Sequence, residues 1–124
     1  MARTIIVVLL LFAVAPAWAE WARVSQIRDS VYYIDPATVR KKEHFRRVWV
    51  LQDLKTRHQD GELSRRLLME YDCKAERMRN LSISEHLGQM ASGQAISDDA
   101  TPEPWVNVAR KTPAEVIFRL VCAR

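Results

Sequence analysis

The chain has 124 residues, a mass of 14.4 kDa and a formal net charge of +4. That length holds one domain and not two. Hydrophobic residues make up 48% and charged residues 27%, and three Gly, five Pro and two Cys exclude collagen-like chains, low-complexity chains, disulfide-dense mini-scaffolds and a four-cysteine zinc site.

The first segment carries Arg3, then an unbroken apolar run from Ile5 to Ala15, then Ala17 and Ala19 at the small-residue positions of an A-x-A cleavage site. The run is too short to cross a membrane, which takes about 20 residues. These three regions in this order predict a cleaved secretory signal over residues 1–19 and a single domain over residues 20–124. No cysteine near the cleavage site offers a lipid-attachment point, and no later stretch predicts a transmembrane helix. Removing nineteen residues leaves 105, and the loss of Arg3 lowers the net charge from +4 to +3. A mildly basic chain of mixed sign lacks the concentrated basic face of a nucleic-acid binder, so no nucleic-acid partner is expected.

In the mature part, Trp21 to Ile27 alternates loosely and reads as a strand. Val31 to Ile34 is β-branched and aromatic and predicts a second, stopped by Asp35-Pro36. Ala37 to Lys42 reads as a short connection of about one helical turn. Phe45 to Leu54 alternates most strongly, with Phe45, Arg47, Trp49 and Leu51 on one face and Arg46, Val48, Val50 and Gln52 on the other. After a polar loop from Lys55 to Glu62, Ser64 to Cys73 alternates again, with Leu67, Met69, Tyr71 and Cys73 on one face. An antiparallel pairing with Leu51 opposite Leu67 and Trp49 opposite Met69 would place Trp49 in the core and Phe45 near Cys73. Glu76 to Leu87 continues the meander, with Arg79, Leu81, Ile83 and Leu87 on one side. Gly88 to Gly93 reads as a flexible link, Gln94 to Ser97 as a short strand, Asp98 to Pro104 as a loop, and Trp105 to Val108 as a segment docking on the sheet edge.

The period then changes. Thr112-Pro113-Ala114-Glu115 fits a capping box with Pro at the first helical position, and Val116, Ile117, Leu120 and Val121 recur at helical spacing. Cys73 and Cys122, an even pair in a chain predicted to be exported, predict one disulfide closing a loop of about 50 residues. The bond would tie the C-terminal helix to the sheet. The expected fold is α+β: an antiparallel sheet of about five to six strands, one face covered by that helix.

Trp21 at the mature start, Tyr32-Tyr33-Ile34-Asp35, Val48-Trp49-Val50-Leu51 with Asp53, Glu70-Tyr71-Asp72-Cys73 and a closing Val121-Cys122 occur in an order that resembles the bacterial surface-adhesin protein E-like domain family. The resemblance spans about Trp21 to Cys122. It implies an antiparallel sheet with a disulfide-tethered helix, a place in the Gram-negative envelope, and an adhesin-like binding activity with no catalytic residues. The implied partner is a host matrix protein or an envelope component, recognised at the cell surface or in the periplasm, and no cofactor is expected.

The residues themselves offer little chemistry. His44, His58 and His86 are far apart and match no metal-ligand spacing, so no metal is expected. There is no G-x-S-x-G elbow. The basic clusters Arg40-Lys41-Lys42, Arg46-Arg47 and Arg65-Arg66 read either as cross-strand partners of acids or as a patch for an acidic partner, the expected register bringing Arg65 near Asp53 and Arg46 near Asp72. Arg40, Lys41 and Lys42 are the better binding candidates because Glu43 is their only near acid. Lys55 and Arg57 of the hairpin loop, and Trp105 beside a Pro-rich loop, complete the candidate set. An exposed edge strand would allow a homodimer by sheet extension.

Overall fold

The computed structural model describes residues 3–7 and 19–123. The expected signal segment of residues 1–19 lies largely outside the described residues. The elements in chain order are β1 (Ala22–Ile27), β2 (Ser30–Ile34), β3 (Arg40–Lys42), β4 (Phe45–Leu54), β5 (Ser64–Asp72), β6 (Arg77–His86), β7 (Ala95–Asp99), β8 (Val106–Asn107) and α1 (Pro113–Cys122). They build the expected α+β fold, one antiparallel sheet with the order β1-β2-β4-β5-β6-β7, in which β3 adds to β4 and β8 to β6.

Eight strands exceed the expected five to six. The additional ones carry no alternation to read: β3 is Arg-Lys-Lys, wholly exposed, and β8 is two residues long. The connection from Ala37 to Lys42 is therefore a 3-10 turn at Pro36–Thr38 followed by a strand. This turn keeps the β4 backbone paired where β2 ends and β3 has not begun. Asp35 N donates to Trp49 O at 3.1 Å, and Trp49 N donates to Thr38 Oγ1 at 3.1 Å.

Residues directly opposite one another in an antiparallel sheet share a face. β4 and β5 pair Val50 with Leu67, Val48 with Met69 and Arg46 with Tyr71. This is one residue away from the expected register, and it turns the other row of β4 inward. Val48, Val50, Met69 and Tyr71 join Ile34, Ile117 and Val121 in the buried core under α1. Trp49 is thus not a core residue. It lies half-buried on the outer face, with the Arg66 guanidinium carbon 3.8 Å from its ring centroid. Both rows of β4 contain apolar residues, so alternation alone did not choose between them. A bulge in β6, where Asn80 and Ser82 pair with Met69 and Leu68 and Leu81 is left over, also changes the expected facing. Arg79 falls on the outer face and Ile83 on the inner one, opposite Glu70 and Leu67.

The helix begins as its sequence demands. Thr112 accepts a hydrogen bond from Glu115 N at 3.3 Å, and Pro113 opens the first turn. Ile117 and Val121 face the sheet and are buried. Cys122 is bonded to Cys73 just past the end of β5, closing a separation of 49 residues. At the opposite end of the outer face, the Gly88–Gly93 link is pinned down: Met90 N donates to Asp53 Oδ1 and Ala91 N to Ser64 Oγ, both at 2.9 Å. Those bonds hold two successive non-glycine residues, Met90 and Ala91, at φ of 56° and 58°.

Two stability outcomes follow from this core. Replacing Cys73 and Cys122 by serine removes a loop closure that the chain-entropy model values at about 4 kcal/mol, so urea unfolding of the variant shifts by roughly that amount. Truncating Ile117 to alanine opens a cavity between helix and sheet and costs about 2–5 kcal/mol in the same assay.

Candidate functional site

The outer face carries charge in ordered rows. Arg40, Arg47, Glu70 and Arg79 lie opposite one another across β3, β4, β5 and β6. The next row outward is Lys42, Phe45, Asp72 and Arg77. β8 pairs Asn107 with Arg77 and Val106 with Met78, a register whose continuation brings Trp105 level with Arg79. These strands frame a groove of about 620 Å³ lined by Arg40, Lys42, Glu43, Phe45, Arg47, Arg79 and Trp105, with Glu70 at its floor.

Glu70 organises this floor. Its Oε2 accepts from Arg47 Nε at 2.8 Å and its Oε1 accepts from Arg79 Nε at 2.9 Å, so each carboxylate oxygen serves a different guanidinium. Burial of the carboxyl disfavours its charge, but the two arginines outweigh that effect and hold it below the usual carboxylate range. One negative charge thus anchors two positive ones, and the Arg47 side chain remains 54% exposed. Arg40 donates only to backbone carbonyls, those of Ala37 and Val39. Lys42 is exposed and its ammonium, among the described residues, has no hydrogen-bonding or ionic partner. The groove therefore keeps a surplus of positive charge aimed at solvent.

One wall is aromatic. The Arg79 guanidinium carbon lies 4.4 Å, and that of Arg77 5.3 Å, from the Trp105 ring centroid. Phe45 and Trp105 have ring centroids 5.9 Å apart. Arg77 also donates to Asp72 Oδ2 at 3.0 Å, while Asp72 Oδ1 accepts from the backbone of Lys74 and Ala75. Burial works against charge on Asp72 as well, and the Ala75, Arg77 and Lys74 donors with nearby His44 overcome it and lower its pKa. The arginines that flank Trp105 are thus fixed by acids below them before any ligand arrives.

Of the residues singled out from the sequence, Arg40, Lys42 and Trp105 come together in this groove. Lys41 does not, because it pairs with Arg46 on the inner face. Lys55 and Arg57 lie beyond the other end of β4. Lys55 N donates to Asp29 O, and the Arg57 guanidinium clamps the hairpin loop by donating to Gly61 O and Leu87 O. Arg65, expected near Asp53, bonds Glu62 Oε1 at 2.7 Å instead, and Asp53 pairs with Ser64. Arg47, Glu70, Phe45 and Arg79 were not among the candidates. The Arg46-Arg47 doublet was a signal for the first, but the one-residue register shift and the β6 bulge are what bring Arg47 and Arg79 onto one carboxylate.

The family model for surface-adhesin protein E matches residues 21–123. The chain belongs to the surface-adhesin protein E family. No curated protein sequence matches it. Among solved structures, crystal form II of Haemophilus influenzae protein E superposes with a TM-score of 0.68 at 12% identity, covering 83% of this chain and 87% of that one. A second Haemophilus influenzae protein E structure gives a TM-score of 0.61 at 12% identity, covering 83% of each chain. At that identity the likeness is one of fold. The antiparallel sheet with its C-terminal helix is thus a fold that this chain shares with those structures. No helix among the described residues is long and apolar enough to cross a membrane.

The acids under the groove make its stability depend on pH. The folded pKa of Glu70 lies below its ordinary value of 4.5, and that of Asp72 below 3.8. Their contribution is fully present above those ordinary values and is lost as pH falls through the lowered folded ones. Urea unfolding followed from pH 7 to pH 3 therefore weakens below about pH 4.5, and Glu70→Gln flattens that acid limb.

Proposed function

We propose that this chain is an exported, non-catalytic binding domain of the bacterial cell envelope that recognises an acidic protein segment or an anionic glycan through the groove around Arg40, Lys42, Arg47 and Trp105. The observation that carries the reading is the charge arrangement. Three exposed cations and an aromatic wall surround a carboxylate already shared by two arginines, and although Glu43 also lines the groove, its four cations outnumber its two acids and leave net positive charge to offer an anion. Family membership supports an adhesin-like role. The chemistry of the groove supports binding over catalysis, since Glu70 has its proton affinity lowered and both oxygens engaged. Lys55 and Arg57 offer a second cationic point on the hairpin loop, well apart from the groove.

Heparin serves as the polyanionic probe. Two exposed charges worth about 0.5–1 kcal/mol each predict roughly a tenfold loss of affinity in Arg40→Ala/Lys42→Ala, with a weaker salt dependence. Heparin affinity equal to wild type in that variant overturns the groove as the site. A Lys55→Ala/Arg57→Ala variant measures the share of the hairpin loop.

Export is part of the same reading. The signal over residues 1–19 predicts a mature N-terminus at Glu20, which sequencing of the purified protein checks directly. Digestion by protease on intact cells would place the domain at the surface and favour a host matrix partner. Protection until the outer membrane is opened would favour the alternative, a soluble periplasmic factor that binds an envelope component or inhibits an envelope enzyme.

A further inference from the structure

A second cluster of charge, of opposite sign, lies beyond the other end of the sheet. Asp60 and Glu62 of the β4–β5 loop and Glu85 of β6 each place a carboxylate oxygen within 4.8 Å of the other two. Glu62 is completely buried. Its Oε1 is taken by Arg65 Nη2 at 2.7 Å and lies 3.2 Å from His58 Nδ1, while its Oε2 is buried with no hydrogen-bond partner. The carboxylates of Asp60 and Glu85 accept no hydrogen bond and make no ion pair among the described residues. Arg57, the other nearby cation, is turned to the carbonyl oxygens of Gly61 and Leu87. Three carboxylates are thus crowded together, Arg65 compensates one of them directly, and a fully buried oxygen is left without any donor. A buried carboxylate oxygen left without a partner is costly.

A cation removes both defects at once. Oxygens bound to one calcium ion sit about 2.3–2.6 Å from it and so lie at most roughly 5 Å apart, a spacing these three carboxylates already satisfy. We propose that Asp60, Glu62 and Glu85 form a calcium site that fastens the hairpin loop to β6, water completing the coordination. The site is absent from the sequence as a motif because Glu85 reaches the loop only through strand pairing, Arg65 opposite Glu85 and Ser64 opposite His86. With three protein oxygens the affinity belongs to the weak class, about 10⁻⁴–10⁻³ M.

The test is thermal unfolding of the mature chain in EDTA and in calcium chloride, with sodium chloride matching the ionic strength, together with calorimetric titration of calcium. Calcium tenfold above Kd raises Tm by roughly 5–10 °C. Asp60→Asn and Glu85→Gln each abolish that rise, and in EDTA both are at least as stable as wild type because mutual repulsion is relieved. A chain that shows neither a calcium-specific shift nor binding heat overturns the site. So does a shift that persists in both variants, or one that matched sodium chloride reproduces.

Discussion

The antiparallel register of β4 and β5, Val50 opposite Leu67, decides what each face of the sheet is made of. It gathers Val48, Val50, Met69 and Tyr71 beneath α1, where burial of apolar surface drives the domain together. By the same pairing it puts Arg47 across from Glu70 and Phe45 across from Asp72 on the face that has no helix. One slip would send every one of these side chains to the other side. Core and groove are therefore not separate designs. The hydrophobic row fixes the register, and the register places the charges.

The inner face needs more than its own area to stay closed. The mature domain is small, and one ten-residue helix covers a sheet of eight strands. A helix of that length has little stability of its own in water. The Cys73–Cys122 bond fixes its C-terminal end just past β5, and the Thr112 cap organises its start, so that Ile117 and Val121 between them are presented to the sheet. Tyr71 shows the cost of this closure. It is fully buried, its hydroxyl has no partner among the described residues, and burial pushes the phenol pKa upward. The ring fills the core against Phe118, with centroids 6.1 Å apart, and that contact area carries the residue in spite of its polar end.

Much of this was legible in the amino acids. The long alternating strands, the capping box before α1, the cysteine pair and the docking of Trp105 onto the sheet all follow from local patterns. The register did not, because β4 offers Val48 and Val50 on one side and Trp49 and Leu51 on the other, and both rows satisfy a hydrophobic criterion. Leu51 is in fact as fully buried as Val48, although it faces outward. β3 was invisible for a different reason: an exposed edge strand of Arg-Lys-Lys carries no apolar period. Of the groove, the sequence exposed Arg40, Lys42 and Trp105, residues whose charge or size stands out locally. Glu70 and Arg79 acquire their role only across strands, and a bulge at Leu81 intervenes.

The two charge clusters differ in a way that bears on what each is for. In the groove, Glu70 and Asp72 lie beneath arginines and accept several donors apiece, so the negative charge is satisfied from within and the positive charge is left facing solvent. Arginines held by acids below and stacked beside Trp105 lose little freedom when they meet an anion, which is how a modest number of contacts becomes useful affinity. At the other end of the sheet the balance is reversed: the carboxylates outnumber the guanidiniums that reach them. The groove sits on the outer face, whereas Glu85 lies opposite Arg65 in the inner row, so the two clusters occupy different ends and different faces of the sheet. A polyanion seated in the groove would therefore not meet these carboxylates, and a cation held among them would not weaken the charge of the groove.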